Sequence, residues 1–375
     1  MTRLEYLLSA TALRLLGALF GLLPVRRDRV TLATARLSRL DGNLQSIHEA
    51  IRALRPDVRL SLALEPYSYG LRGKLAYAAR LVRGMYLLRT SRLFVVDNAY
   101  LPIHVAPHRP GTTVVQVWHA EGALKRFGVD TVTPLELPER AFLHRYYDWV
   151  VTAGEASRQA WSRAFRTPLE RVIGLGAPRT DLLFDESAMA AARTRILSAH
   201  PGLRGRRVIL YAPTFRGRGR GKRPGRGLDA AALRAALPHT DVLALKSHPN
   251  LDPALVSTEG FDVVIEPSVD LNELLVASDI LITDYSSAIF DAALLRRRLV
   301  LLVDDLAEYE RDPGMYLDYR TEMIGTQVAD TAGVIQAILR DDFDLGAYDA
   351  FVERHLRSSD GHASARFVER FLPAT

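Results

Sequence analysis

Short continuous apolar runs, separated by stretches with helical spacing, constrain this chain more than any other feature. In the first half the runs lie at 30–35, 58–64, 93–96 and 113–117, with helical stretches at 43–54 and 71–88. Strands that are apolar on both faces belong in a parallel sheet covered by helices on both sides. The second half repeats the rhythm, with strands expected at 207–211, 242–246, 263–266, 280–283 and 299–303 and helices at 228–237, 271–277 and 287–295. The expectation is an α/β chain of two doubly wound domains facing a cleft, with ligands at the C-terminal ends of the strands. A length of 375 residues gives room for two domains of ~150 residues each. The boundary is expected near 187–206, giving an N-terminal helix over 1–29, a first domain over 30–190 and a second over 191–330. The helical end over 331–375 is expected to cross back onto the first domain.

Composition removes several chemistries. The chain has no Cys, which excludes disulfides, Cys-ligated zinc, iron–sulfur clusters and thiol catalysis. Lys and Arg outnumber Asp and Glu by 49 to 43, so the net charge of +6 favours phosphates, nucleotides or acidic lipid as partners. No Walker A loop, zinc-protease helix, EF-hand, nucleophile elbow or kinase catalytic loop occurs. No carboxylate cluster has metal-ligand spacing, so neither a metal nor a cofactor is expected.

Residues 4–25 are rich in Leu and Ala but carry Glu5 and Arg14, and Arg26, Arg27 and Arg29 follow. A secretory signal places its charge before the apolar core. A central Arg would cost a spanning helix roughly 2.5–3.5 kcal/mol. An amphipathic helix lying on the membrane, with its arginines toward lipid phosphates, fits the pattern; a buried first helix of the domain is the competing reading.

Four polar motifs follow expected strands. Trp118 and His119 close the run at 113–117, with Lys125 and Arg126 downstream; an imidazole there is a candidate general base. Gly174, Gly176 and Pro178 force a turn from which Arg179 projects, although no βαβ unit is legible around it and a helix entry capped by Thr180 or Asp181 is equally consistent. Thr214 and Arg216 follow the run at 207–211, and His248-Pro249 follows the run at 242–246. Thr283, Asp284, Ser286 and Ser287 close the run at 280–283 and open a helix, whose N-terminus suits a phosphate. Downstream, Asp304, Asp305, Glu308 and Tyr309 form an acidic patch with the chemistry to hold a polyol or a metal. Residues 216–227 contain six basic residues and five Gly, a density expected to form a mobile basic loop rather than helix or strand.

In this order the motifs resemble the CDP-glycerol glycerophosphotransferase family of teichoic acid synthesis. The resemblance rests on Trp118-His119 leading to Lys125, on Gly176-Ala177-Pro178-Arg179-Thr180-Asp181, and on Tyr211-Ala212-Pro213-Thr214. His248-Pro249, the segment Ile282 to Ser287 with Phe290-Asp291, and Asp305 to Tyr309 continue it, while Asp41-Gly42-Asn43 and Val95-Val96-Asp97 extend it into the first half. The chain departs from the family at Ala120-Glu121-Gly122 and at Pro313-Gly314-Met315-Tyr316, changes that bear on the substrate more than on the reaction.

The resemblance implies a GT-B-like fold and transfer of glycerol phosphate, or a related polyol phosphate, from a CDP-polyol to an acceptor hydroxyl of a lipid-linked or polymeric glycan, releasing CMP. It implies His119 and His248 as catalytic residues, His119 being the base. It implies Arg179, Thr214, Thr283, Asp284, Ser286 and Ser287 as donor contacts. Trp118, Lys125, Asp305 and Arg216 would contact acceptor or polyol. The enzyme would work in the cytoplasm, peripheral on the inner face of the membrane, with no nucleic acid partner. A nucleotide-sugar glycosyltransferase on the same scaffold is the rival reading, since fold alone does not settle function. A non-catalytic binder of anionic polymer or RNA through residues 216–227 is a weaker one.

Overall fold

The apolar runs form the strands of two parallel sheets. The computed structural model describes residues 3–64, 71–131, 143–217, 221–225, 227–248, 251–340 and 343–373. The chain divides into two units, Met1–Asp181 with Arg357–Thr375, and Leu182–Leu356.

The first unit is built on β1 (Arg26–Thr34), β2 (Arg59–Leu64), β3 (Ser91–Val96), β4 (Thr113–Gln116), β5 (Trp149–Thr152) and β6 (Val172–Gly174). They form a six-stranded sheet in the order β2-β1-β3-β4-β5-β6, with every pairing parallel. Parallel strands need crossovers, and helices supply them. Helices α1 (Arg3–Phe20), α3 (Leu71–Thr90) and α4 (Leu101–Val105) cover one face, burying Tyr6, Ala10, Leu13, Met85 and Ile103 against Phe94 and Val114. Helix α2 (Gly42–Leu54) covers the other, with Leu44, Ile47 and Ile51 at the i, i+3, i+7 spacing of one helix face. Helix α5 (Arg158–Phe165) carries the chain from β5 to β6.

Strands β5 and β6, four and three residues long, are not among the strands expected from the sequence. A βαβ unit therefore does precede Gly176, contrary to the expectation that none surrounds that motif.

Helix α1 has two faces. Tyr6, Ala10 and Leu13 are buried in the unit, while Leu4, Leu8, Leu15, Leu19 and Leu22 are exposed, Leu22 at 82%. Arg14 does not break the helix, because its side chain turns inward and Nε donates to the Val105 carbonyl at 2.8 Å. Among the described residues no helix is long and apolar enough to cross a membrane.

The second unit is built on β7 (Arg207–Tyr211), β10 (Asp241–Lys246), β11 (Val263–Ile265), β12 (Ile280–Thr283), β13 (Arg298–Leu302) and β14 (Thr326–Val328), in the order β11-β10-β7-β12-β13-β14. Every pairing is again parallel. Helices α6 (Glu186–Ala199), α7 (Ala230–Ala236), α8 (Leu271–Val276), α9 (Ala288–Leu294), α10 (Leu306–Arg311), α11 (Tyr319–Glu322), α12 (Thr331–Leu339) and α13 (Leu345–Leu356) complete it. Asp185, Asp229, Asp270 and Asp330 accept backbone N–H groups at the starts of α6, α7, α8 and α12, the standard satisfaction of a helix's first donors. Part of the segment 216–227, expected as a mobile loop, forms strand. Phe215–Arg216 (β8) pairs antiparallel with Arg223–Pro224 (β9), and Gly217 makes the turn at φ +79°. Residues 218–220 and 226 of that segment, and Pro249, lie outside the described residues.

After α13 the chain returns to the first unit as α14 (Ala363–Phe371), where Phe367 and Val368 join the core beside α2. The return is held from the Gly-Pro-Arg motif. Asp181 caps this distant helix, accepting from the Ala363 and Ser364 N–H groups at 2.9 and 2.8 Å, rather than a local helix entry. Gly176 sits at φ +90°, and a Cβ there would fall onto the Ser358 carbonyl oxygen. Gly176→Ala combines left-handed strain with a backbone clash, so it should lower unfolding free energy by roughly 2–4 kcal/mol. Urea denaturation reads the loss, and amide exchange should place it in α14.

Candidate functional site: two strand-end clusters

In the first unit the site residues gather where β4 ends. Gln116 is fully buried and governs the turn that follows. Its Nε2 donates to the Asn98 carbonyl and the Tyr147 hydroxyl, both at 3.0 Å, and its Oε1 accepts from Trp118 N at 2.8 Å. Trp118 is thereby held at φ +51°, a left-handed conformation costly for a bulky residue unless its surroundings enforce it. Its indole stacks on Phe127 at 5.1 Å and meets Phe165 edge-on at 5.2 Å. The turn brings His119 back over β3, where Nδ1 lies 2.9 Å from the Asp97 carbonyl oxygen. A carbonyl only accepts, so Nδ1 carries the proton and Nε2 of the neutral ring is the basic nitrogen. That is the tautomer a general base needs.

Asn43 ties this turn to the Arg179 segment. Its Nδ2 donates to the carbonyls of Val117 and Trp118, both at 3.1 Å, and its Oδ1 accepts from Arg179 N at 3.0 Å. Arg179 Nε donates to Glu121 at 2.9 Å, and the Glu121 side chain is fully buried. Glu121, one of the positions where the chain departs from the family pattern, is thus the fixed counter-charge of Arg179. Lys125 is half-buried on the loop beyond.

The wall behind Trp118 is unusual in holding two histidines. Burial pushes His104 down to about 4 and His144 well below its ordinary range, so both are neutral near neutral pH. The Tyr147 hydroxyl, which accepts from Gln116, is hydrogen-bonded to His144 Nδ1 at 3.0 Å.

In the second unit a buried arginine organises the ends of β7, β12 and β13. The Arg216 side chain is 9% exposed. It binds Asp284 at 2.8 Å and Asp305 at 2.6 and 3.0 Å, the latter as a two-pronged pair. Its guanidinium lies over the rings of Tyr285 and Tyr309 at 5.0 and 4.9 Å. Burial alone would raise the Asp305 carboxyl, but Arg216 and the Tyr285 hydroxyl outweigh it and hold that carboxyl below its ordinary range. Asp284 also accepts from Thr214 N at 2.8 Å and Thr214 Oγ1 at 3.0 Å. Thr283 Oγ1 donates to the Ala212 carbonyl at 2.7 Å.

Several residues expected at the donor site are bonded to one another. Thr214, Thr283, Asp284, Asp305 and Arg216 satisfy one another or nearby backbone and fix the shape of the turn. Ser286 and Ser287 stand at its outer end, half-buried, with Ser286 Oγ accepting from Ala288 N at 3.2 Å. His248, also half-buried, meets the edge of Phe215 at 4.7 Å, and Lys222 Nζ lies 4.8 Å over that same ring. The β8–β9 hairpin thus packs against His248 instead of extending as a free basic arm. A cavity of about 260 Å³ opens near the ends of β7 and β10, lined in part by Tyr211, Pro213, Asp229, Ser247, Glu259 and Phe261.

The structure groups Trp118, His119, Lys125 and Arg179 in one unit, and Thr214, Arg216, His248, Thr283, Asp284, Ser286, Ser287 and Asp305 in the other. Arg179, expected among the donor contacts, belongs with His119. The sequence assigns Gln116 and Glu121 no role of their own and marks Asn43 only as part of a family pattern. Their signal was polarity at a strand end, which does not reveal its partner. Among the described residues no acidic or histidine cluster able to hold a metal occurs.

A family model for CDP-glycerol:poly(glycerophosphate) glycerophosphotransferases matches residues 16–372. The chain belongs to this family. It is 32% identical to the teichoic acid ribitol-phosphate primase of Bacillus spizizenii, over 99% of this chain and 98% of that protein. It is 30% identical to the teichoic acid poly(ribitol-phosphate) polymerase of the same species, over 94% of this chain but 57% of the polymerase. The solved structure of the wall teichoic acid polymerase TagF superposes with a TM-score of 0.74 at 20% identity, covering 99% of this chain and 98% of that one. The fold is GT-B-like, and the family is one of phosphotransferases rather than of the sugar transferases that share the scaffold.

Asn43→Asp keeps the acceptor for Arg179 N but sets a carboxylate against the Val117 and Trp118 carbonyls. Loss of that clamp should lower kcat for CMP release roughly ten- to a hundredfold with KM for the donor changed little, since each unmade buried bond costs about 1–3 kcal/mol. Steady-state kinetics with and without the substitution check it.

A pH prediction follows from Asp97. Burial raises its carboxyl from 3.8 to about 6, against the opposing charge of Arg36 at 3.2 Å. The folded state holds this proton more tightly than the unfolded chain. The resulting stability is full below pH 3.8 and is lost as pH rises through about 6. Asp97→Asn should flatten that fall, measured as the difference in unfolding free energy between the two proteins across this window.

Proposed function

We propose that the chain transfers a polyol phosphate, glycerol phosphate or ribitol phosphate, from its CDP ester to a hydroxyl of a lipid-linked or polymeric cell-surface glycan. The observation that carries the reading is the match to the ribitol-phosphate primase along nearly the whole of both chains. His119 Nε2 takes the acceptor hydroxyl proton as the oxygen attacks the phosphorus that bears the polyol. A new P–O bond forms, the bond of the diphosphate bridge breaks, and CMP leaves with the electron pair. Phosphoryl transfer is mainly positioning and charge stabilisation, so the remaining groups act on the phosphate oxygens. His248 supports the departing CMP, Arg179 supplies positive charge, and Ser286 and Ser287 donate to phosphate. Thr214, Thr283 and Asp284 shape the turn that presents the serines. Trp118 and Lys125 face the acceptor. Arg216 and Asp305, being bound to each other, act through that turn. The reaction as written needs no metal.

We further propose that the exposed leucine stripe of α1 rests on the inner face of the cytoplasmic membrane. Leu4, Leu8, Leu15 and Leu19 recur at helical spacing, Leu22 follows in the turn after the helix, and Arg26 and Arg27 open β1 beyond it, both exposed. Apolar burial plus attraction of arginine to anionic headgroups is the energetic pattern of a peripheral helix.

The test is CMP release from CDP-glycerol and CDP-ribitol, with a nucleotide sugar in parallel. CMP should appear with at least one CDP-polyol, and His119→Ala and His248→Ala should each lower kcat by roughly a hundredfold or more. Nucleoside diphosphate from the sugar donor, with no CMP from either polyol, would defeat the assignment. For the membrane contact, Leu15→Glu with Leu19→Glu should abolish cosedimentation with phosphatidylglycerol vesicles while leaving transfer to a soluble acceptor intact.

A further inference from the structure

At the opposite end of the first unit's sheet, where the strands begin, a second cavity gathers positive charge. It has a volume of about 270 Å³ and is lined by Arg92, Leu93, Thr113, Trp149, Arg370, Phe371 and Pro373. Trp149 is its floor. The guanidinium groups of Arg171 and Arg370 lie over that indole at 4.8 and 4.6 Å. Arg92 and Arg370 thus line one hollow, and Arg370 shares the indole with Arg171.

Arg92, Arg171 and Arg370 share a lack of counter-charge. Elsewhere in the unit Arg36, Arg55, Arg59, Arg158, Arg163 and Arg179 each pair with a carboxylate. Among the described residues Arg92, Arg171 and Arg370 make no ion pair. Asp57, which feels the charge of Arg92, is already engaged by Arg55 at 2.7 Å. Asp148, next to Trp149, is taken by His108 at 3.0 Å and by Val114 N at 2.7 Å. Like charges brought together without a partner repel, and a guanidinium stacked on an aromatic keeps its N–H edge for an anion. The arrangement fits a phosphate group, whose oxygens accept the forked donors of Arg.

We propose that this hollow is a second binding site of the first unit, which holds a phosphodiester of the acceptor chain at a distance from the reacting hydroxyl. The proposal rests on the transferase reading above and takes its polymeric case, in which the acceptor already carries transferred polyol phosphates. Place in the fold separates it from His119, which stands at the far ends of these same strands. It also separates it from the lipid-facing helix. Trp149 and Phe371 pack on the sheet face shared with α2, whereas α1 packs on the other face. The ligand assigned is therefore the phosphate of a soluble chain rather than a lipid headgroup. Such a site would retain a phosphorylated acceptor between encounters and favour it over a bare hydroxyl.

The experiment is titration of the full chain with a short synthetic glycerol-phosphate oligomer, read by calorimetry and tryptophan fluorescence, with inorganic phosphate and phosphatidylglycerol vesicles as parallel probes. Arg92→Ala with Arg370→Ala should weaken oligomer binding roughly tenfold or more, in line with the loss of charged hydrogen bonds. CMP release with an unphosphorylated short acceptor should stay within about twofold of the parent, since the hollow is remote from the chemistry. His119→Ala should leave oligomer binding unchanged. Arg92→Gln with Arg370→Gln, which keep much of the side-chain bulk, provide a second pair should the alanine variant fail to fold. Oligomer binding that is indifferent to both pairs overturns the proposal, as does binding lost in His119→Ala instead. Arginine-dependent binding to vesicles but not to oligomer also overturns it, assigning the site to a headgroup. Binding needs no donor, so arginine-dependent oligomer binding in a protein that releases no CMP would sustain this site while removing the transferase reading.

Discussion

A parallel sheet covered on both faces leaves its strand ends as the places where buried backbone gives way to polar side chains. Every turn at such an end must satisfy its N–H and C=O groups without the ladder. Both units meet that demand with one buried side chain that bonds several segments at once. In the first unit Asn43 joins the Trp118 turn to the Arg179 segment, which lies 136 residues further on. In the second, Arg216 joins the turn after β7 to the ends of β12 and β13. The positions of His119 and of the serine pair are consequences of these clamps.

The two clamps differ in cost. A buried amide is neutral, so Asn43 needs only partners for its donors and acceptor. Arg216 brings a charge out of water, and such a group is tolerated only when paired and fully hydrogen-bonded. Two carboxylates and two tyrosine rings supply the pairing. The same logic explains Glu121, whose burial is sustained by Arg179. Arg92, Arg171 and Arg370, nearer the surface, have no carboxylate partner among the described residues.

Much of the fold was legible in the sequence because apolar runs of four or more residues report burial on both faces directly. Strands such as β7 and β12 match the expected bounds, residues 207–211 and 280–283. β5 and β6 were not read, and length is not the reason, since β12 is no longer than β5 and β11 no longer than β6. The β8–β9 hairpin was misjudged for another reason. Glycine density argued against regular structure, yet Arg216 is drawn into a buried pair that holds the hairpin's root, and local propensity yields to that tertiary contact.

The residue types at the strand ends were determined by the sequence alone: two histidines, a Ser-Ser helix entry, and a conspicuous arginine after a glycine turn. Their order along the chain marked the family. Tertiary structure alone decided what each side chain is bonded to. It bonded Thr214, Asp284, Asp305 and Arg216 into one network, and it set Arg179 beside Glu121. It also gave His119 its tautomer through the Asp97 carbonyl. The reason is physical. A one-dimensional pattern records which groups are polar and roughly where they lie on an element, whereas hydrogen bonds and ion pairs depend on distances between segments that only packing brings together.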